Sequence, residues 1–169
     1  MSNLPSGYAF RPVTAADAEI LAHHRAVMFL GMGRIPESDV AAFVQVSIPW
    51  FQSLLDQQLY AGVLVLQGDE IVCGGGIQIY ELAPLPGTFH IGRWGHIINI
   101  YTEPEHRRRG LARGVMLYLL EWLHAEKFDR ITLTASNEGR PLYASLGFTP
   151  TNDMELLPAV WPSRSEPQA

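Results

Sequence analysis

The sequence is short of cysteine and of charge, and it has no long apolar run. Its single cysteine, Cys73, excludes an intramolecular disulfide and any zinc site built on several thiolates, and makes a reducing compartment the expectation. Charged residues are only 17% of the 169 and the formal net charge is −5, so the broad positive field of a nucleic-acid-binding surface is missing. No stretch is apolar for long enough to cross a bilayer. Met1 to Gly7 has neither the basic start nor the apolar run of a secretory signal. The expected setting is cytoplasmic, with no membrane and no nucleic acid among the partners. The histidines show no ligand spacing: His23 and His24 are adjacent and so face different ways on a helix, and His90, His96 and His106 are irregularly set. No metal is expected. Internal repeats and interior linkers are also absent.

What is present is enough apolar material for one core. Apolar residues make up 47% of the chain, which excludes disorder for its body, and the length suits a single domain over residues 1–158 with a loose tail over 159–169. A first strand is expected at Tyr8 to Pro12. A helix follows from near Thr14 to about Leu30, with Asp17 and Glu19 suited to its N-terminal dipole, and Gly31 and Gly33 end it. A second helix runs from Glu37–Asp39 to about Gln57, and Pro49 should kink or divide it. Ala61 to Leu66 and Glu70 to Tyr80 read as a strand pair turning at Gly68-Asp69; Gly74-Gly75-Gly76 marks a bulge or a close backbone contact in the second. Leu82 to Arg93, with Pro84, Pro86 and Gly87, is a loop. His96 to Thr102 is a strand ended by Glu103-Pro104. Leu111, Val115, Leu119 and Trp122 set a helix over Arg109 to Glu126. Arg130 to Ala135 is a short strand, Gly139 to Leu146 a short helix capped by Gly147, and Phe148 starts a last strand reaching about Leu156. The order β-α-α-β-β-β-α-β-α-β specifies an α/β protein, a mixed sheet with helices on its faces.

The sparse positive charge is concentrated at Arg107, Arg108, Arg109 and Arg113, a local anion site. A strand stops at Pro104 and a helix opens five residues later with Gly110 in its first turn. That arrangement leaves backbone N–H groups aimed at one point at the positive end of a helix dipole. Gly110 lets a phosphate approach the backbone, Ala112 keeps the next turn thin, and the arginines add charge and bidentate donors. The dinucleotide alternative, Gly-x-Gly-x-x-Gly after a strand, does not occur at this loop.

Arg107-x-x-Gly110-x-Ala112 resembles the pyrophosphate-binding motif of the GNAT superfamily of N-acetyltransferases, (Gln or Arg)-x-x-Gly-x-(Gly or Ala). Some 30 residues later, Leu142-Tyr143-Ala144-Ser145-Leu146-Gly147-Phe148 is similar to that family's second signature, Leu-Tyr-x-x-x-Gly-Phe. The resemblance covers about Phe10 to Phe148 and is specific from His96 to Phe148. It implies a mostly antiparallel central sheet flanked by helices. It also implies acetyl-CoA as cosubstrate, direct transfer of an acetyl group to a primary amine of a small molecule or peptide in a ternary complex, and homodimers as a common assembly.

The resemblance also assigns roles. Arg107, Arg108, Arg109, Gly110, Leu111, Ala112 and Arg113 would hold the pyrophosphate. Backbone groups of Ile100, Tyr101 and Thr102 would follow the pantetheine arm, and an N–H there would bind the thioester oxygen. Tyr143 matches the general acid that protonates the leaving thiolate. Its ordinary pKa of about 10 lies above about 8.5 for a thiol, so the match is imperfect but workable at hydrogen-bond range. Asn137 falls where the family often has a small polar residue near the cofactor, and Arg140 is in reach of phosphate or exposed. Aligned on Arg107, His96 occupies a position where family members relay the amine proton, a role that suits imidazole; Glu81, Glu103 and an ordered-water relay are the other candidates. Cys73, in an apolar strand with no basic neighbour, reads as inert rather than as an acyl-accepting nucleophile. Met28, Phe29, Met32, Trp50 and Phe51 flank the early helices, a region that in the family forms a wall of the acceptor site; Met28 and Phe51 read as core. Three alternatives stand beside the acetyltransferase: a CoA-binding module without catalysis, whose mark would be loss of Tyr143, an acyltransferase with another acyl group or a hydroxyl acceptor, and a nucleic-acid module on the arginine run.

Overall fold

The computed structural model of the chain describes residues 4–84, 86 and 89–154. They form two compact units, residues 1–136 and 137–169. The first unit contains strand β1 (Ala9–Pro12), helices α1 (Ala18–Gly31) and α2 (Val40–Asp56), strands β2 (Tyr60–Gln67), β3 (Glu70–Leu82) and β4 (Gly92–Thr102), helix α3 (Leu111–Ala125) and strand β5 (Arg130–Leu133). The strands make one sheet in the order β1-β2-β3-β4-β5. All neighbours are antiparallel except β4 and β5, which are parallel. This is the mixed, mostly antiparallel sheet expected.

Each face of the sheet buries a different helical layer. Ala18, Leu21 and Ala22 of α1 and Phe51 and Leu54 of α2 pack with Tyr60 and Leu64 of β2. Val115, Met116, Leu119 and Leu123 of α3 are fully buried at helical spacing. The two layers meet the sheet at consecutive residues of β3. A Cβ on Gly74 would meet Leu64 and His24, whereas one on Gly75 would meet Ile100 and Val115, as the alternation of a strand requires. The start of α1 is tied to β1 by Asp17, which accepts both arms of the Arg11 guanidinium at 2.8 and 2.9 Å and the Thr14 backbone N–H at 2.6 Å.

The glycine run does make the close contact its sequence announces. A Cβ on Gly76 would lie 2.0 Å from the Tyr60 hydroxyl, and Tyr60 is itself buried against Phe51. Gly76→Ala should therefore force Tyr60 out of place and cost about 1–3 kcal/mol, a fall in Tm of roughly 2–12 °C for a chain of this size. The Tyr60 hydroxyl has no hydrogen-bond partner, so Tyr60→Phe should cost little alone and should recover part of the loss in the double variant. Thermal melts of the four proteins check this.

Pro49 does not divide α2, which runs unbroken to Asp56. Pro49 and Gln45, whose carbonyl loses its donor, are both exposed, so water replaces the missing bond. β4 starts at Gly92, four residues before the expected His96, because Gly92 to Gly95 pair with Leu82 to Ile79 of β3; the ladder overrides weak local strand signals. Leu82, Gly92 and Arg93, expected in the loop before it, are strand residues. In the second unit, α4 spans Arg140–Ser145 and Gly147 caps it, its N–H bonded to the Ala144 carbonyl at 3.1 Å. Residues 148–154 form no strand. Pro150 lacks a donor for a ladder, and the Thr151 hydroxyl bonds the Asp153 carboxylate within the segment. The last two residues of the expected strand, and the tail, lie outside the described residues.

Candidate functional site

The register of β3 against β4 slips between Gly74 and Gly76: Gly74 faces Tyr101, and Gly76 faces Ile98. Two residues of β4, Asn99 and Ile100, therefore oppose Gly75 alone. The extra residue of this bulge sits on β4, not on the glycine strand, and Asn99 carries it at φ 62°. Asparagine tolerates that left-handed conformation, and its side-chain Nδ2 donates to the Leu21 carbonyl of α1 at 2.8 Å. A bulge leaves its extra residue out of the ladder.

β4 is also only half covered on its other side. It pairs with β5 from Trp94 to Ile97, and β5 ends at Leu133. Beyond Ile97 no described strand pairs with that edge of β4. This stretch contains the bulge and leads directly into the arginine loop.

The loop closes as its sequence requires. Pro104 to His106 make one 3-10 turn. Arg108 at φ 58° and Gly110 at φ 82° are both left-handed, and α3 starts at Leu111. A Cβ on Gly110 would meet nothing within 4 Å, so the space before the helix terminus is open. The arginines divide their tasks. Arg107 Nε donates to the Thr102 carbonyl at 3.0 Å and ties the loop to the strand end. Arg109 donates to the Glu105 carbonyl at 2.9 Å and to the Tyr8 hydroxyl at 3.0 Å. Arg108 is exposed and makes no hydrogen bond or ion pair among the described residues; Arg113 is exposed on α3. Tyr8 Oη also lies 3.0 Å from His106 Nδ1. Tyr8 is thus a brace for the loop, and nothing in its local sequence signals that role, since its partners are about a hundred residues away.

His96 is half-buried on β4, with Nδ1 2.8 Å from the Thr132 hydroxyl of β5. Trp94 Nε1 donates to the same hydroxyl at 2.7 Å, because an indole N–H can only donate. Thr132 has one lone pair and one hydrogen left, and the imidazole uses one of them. With Nδ1–H donating to Thr132, Nε2 is the free basic nitrogen. Burial, and then the positive charge of Arg25, push the His96 pKa below its ordinary value, so the ring is neutral near pH 7.

Tyr101 is buried, its ring 5.0 Å from that of His24. Its hydroxyl donates to Glu103 at 3.0 Å, and burial with the Glu103 carboxylate raises its pKa to about 12. Glu103, a candidate base, is thereby committed to Tyr101, while Glu81 is exposed. The Cys73 thiol is buried against the Thr102 hydroxyl at 3.1 Å and burial pushes its pKa up to about 11, which disfavours the nucleophilic thiolate. His24, discounted in sequence, is buried with Nε2 unpartnered and its pKa lowered to about 4 by burial and by His23. Among the described residues no three His, Cys, Asp or Glu side chains converge as a metal site. An open cleft of about 580 Å³ between α1 and α2, lined by Asp17, Glu19, His23 and Val44, includes none of the expected site residues.

In the second unit, Asn137 and Arg140 are exposed. Tyr143 is half-buried with its ring 6.3 Å from Phe148, and burial raises its pKa above the usual value.

Comparison with known proteins gives a consistent result. The acetyltransferase (GNAT) family model matches residues 21–148. No curated protein sequence matches the chain. Among solved structures, a GCN5-related N-acetyltransferase from Ralstonia eutropha JMP134 is 29% identical with a TM-score of 0.82, over 90% of this chain and 99% of that one. A predicted acetyltransferase from Clostridium acetobutylicum, solved with acetyl-CoA, is 26% identical with a TM-score of 0.79, over 89% and 95%. A ribosomal-protein-alanine N-acetyltransferase from Brucella melitensis biovar Abortus 2308 shares the fold at 19% identity and a TM-score of 0.62, over 89% and 97%.

Proposed function

The chain belongs to the GNAT acetyltransferase family, and from that premise we propose that it transfers the acetyl group of acetyl-CoA to a primary amine, in a ternary complex with no acyl-enzyme. The observation that carries this reading is the uncovered edge of β4 over Ile98 to Thr102, which runs into the left-handed loop at Arg108 and Gly110. An extended pantetheine arm pairs with such an edge as an added strand would, and its pyrophosphate then reaches the N–H groups opening α3. Arg107, Arg108 and Arg113 supply charge there. Arg109, engaged by Tyr8 and Glu105, shapes the loop.

The chemistry follows from these groups. A backbone N–H of the bulge region, Ile100 foremost, donates to the thioester oxygen and stabilises the charge that develops as nitrogen attacks the carbonyl carbon. Neutral His96 removes the proton from the ammonium acceptor through Nε2, directly or through water. The carbon–sulfur bond breaks, CoA leaves as a thiolate, and the attacking nitrogen gives up its second proton to solvent. Tyr143 is protonated at neutral pH, and its pKa stands further above that of a thiol than an exposed phenol's would. It therefore serves the thiolate chiefly as a hydrogen-bond donor, with proton transfer completed from solvent.

Tyr143→Phe should lower kcat by about 10–100-fold and leave the acetyl-CoA Kd nearly unchanged; single-turnover rates and calorimetry check the two halves. Equal turnover removes Tyr143 from the mechanism. The activity itself is tested by acetyl-CoA consumption across polyamines, aminoglycosides, amino acids and peptide N-termini.

A further inference from the structure

We propose that Arg25 is the acceptor-recognising residue of this site and that the amine substrate carries an oxyanion, a carboxylate or a phosphate, which Arg25 binds. The inference rests on the acetyl-transfer reading above and names its substrate class.

Arg25 lies on α1, half-buried. Its guanidinium sits over the Phe29 ring at 4.8 Å and over the Trp50 ring of α2 at 5.3 Å. It makes no hydrogen bond and no ion pair among the described residues. Ring faces satisfy the charge in part but accept none of the five in-plane N–H donors. None of its nitrogens is a buried orphan among the described residues, so these donors are open to solvent and accessible to an arriving anion. Arg11 and Arg93, in strands of this unit, are occupied by Asp17 and by Glu126.

The position fits an acceptor. The turn of α1 that carries Arg25 lies against β4: the Leu21 carbonyl accepts from Asn99 of the bulge, and the His24 ring lies 5.0 Å from that of Tyr101; from there the Arg25 charge lowers the His96 pKa. The Tyr80 ring stacks on Trp94 at 4.9 Å, and Trp94 shares the Thr132 hydroxyl with His96. Phe29 and Trp50 hold the Arg25 cation, and Trp94, whose ring also carries the Arg130 guanidinium at 5.0 Å, adjoins the neutral imidazole of His96. A substrate with an ammonium at one end and an oxyanion at the other matches that pair: the fork of Arg25 takes the oxyanion bidentately, and the amine is presented towards His96. A polyamine, cationic throughout, is repelled by Arg25. Two flanking rings also hold the fork in one plane, which lowers the ordering cost of binding.

The test uses the intact chain and two matched pairs of acceptors: an amino acid and its carboxamide, and 2-aminoethyl phosphate and ethanolamine. Turnover with acetyl-CoA and binding to the CoA-loaded protein are both measured, on the wild type, Arg25→Met and Arg25→Lys. The expected result is a preference of about tenfold or more for the anionic member of one pair. The pair that shows it tells carboxylate from phosphate. Assayed at a pH above the His96 inflection, Arg25→Met should abolish the preference by weakening the anionic member while leaving its neutral partner within about threefold. Arg25→Lys, which keeps the charge but not the fork, should restore part of it. Equal handling of both members of each pair, a preference unchanged in Arg25→Met, or an equal loss for both members overturns the proposal. Binding of acetyl-CoA with no binding of any of the four amines also overturns it and leaves acetyl transfer standing. Failure to bind acetyl-CoA strikes the acetyl-transfer reading instead.

Discussion

Acetyl-CoA should raise the melting temperature of the native chain, and Arg107→Glu and Gly110→Asp should each abolish that rise. The two variants attack the loop by different routes. In Arg107→Glu a cation at the proposed pyrophosphate site becomes an anion, and the Nε donor that ties the loop to the Thr102 carbonyl is lost. Two unit charges about 4 Å apart interact by about 4 kcal/mol near a protein surface, so reversing one sign outweighs a typical ligand affinity margin. In Gly110→Asp the side chain enters the open space before α3, where the phosphate would lie. It also takes a φ of 82°, which costs a residue with a Cβ about 1–2 kcal/mol.

The size of the effect follows from linkage. Ligand at 100 times its Kd stabilises the fold by about 2.7 kcal/mol, and a hundredfold loss of affinity reduces this to about 0.4 kcal/mol. For a chain of this length the shift in Tm then falls from roughly 5–11 °C to about 1 °C. Gly110→Ala separates the routes. It bears the backbone cost, so its own Tm drops, but without a charge it should keep part of the ligand-induced shift. An unchanged shift in both charged variants would sink the assignment of the loop to pyrophosphate.

The second large effect is expected at His96. If Nε2 takes the amine proton, His96→Gln should lower kcat about 10²–10³-fold and remove the acidic limb of the pH profile. The sign is set by which form works. The base is the neutral ring, present above its pKa, so kcat/KM must rise with pH and level off once the ring is neutral. Burial and the Arg25 charge place that pKa below its ordinary value, so the inflection should fall below about 6.5. Arg25→Met removes one of the two depressing influences and should move the inflection upward. Thr132→Val takes away the partner of Nδ1 and should cost activity in the same direction, by less. A His96→Gln enzyme with the wild-type pH profile would exclude His96 as base and return the role to Glu81, Glu103 or a water relay.

The sequence by itself determined the element string as far as α4 and the arginine loop, because these depend on short-range forces. Pro104 stops a strand wherever it occurs, Gly110 admits a left-handed turn, and Leu111, Val115 and Leu119 place one apolar stripe on a helix. The family could be read from the same contiguous stretch. Tertiary structure decided what gathers around these pieces. The bulge belongs to β4 because the register against β3 slips there, and it is held by a bond from Asn99 to a helix 78 residues earlier in the chain. Tyr8 braces Arg109 across 101 residues. Arg25 meets Trp50 and acts on Tyr80 and His96 only once α1 and α2 have packed on the sheet. Spacing along a chain carries a helix or a turn, since those bonds span three or four residues. It carries nothing about which distant side chains share a wall, which is set by strand register and by the burial of whole faces.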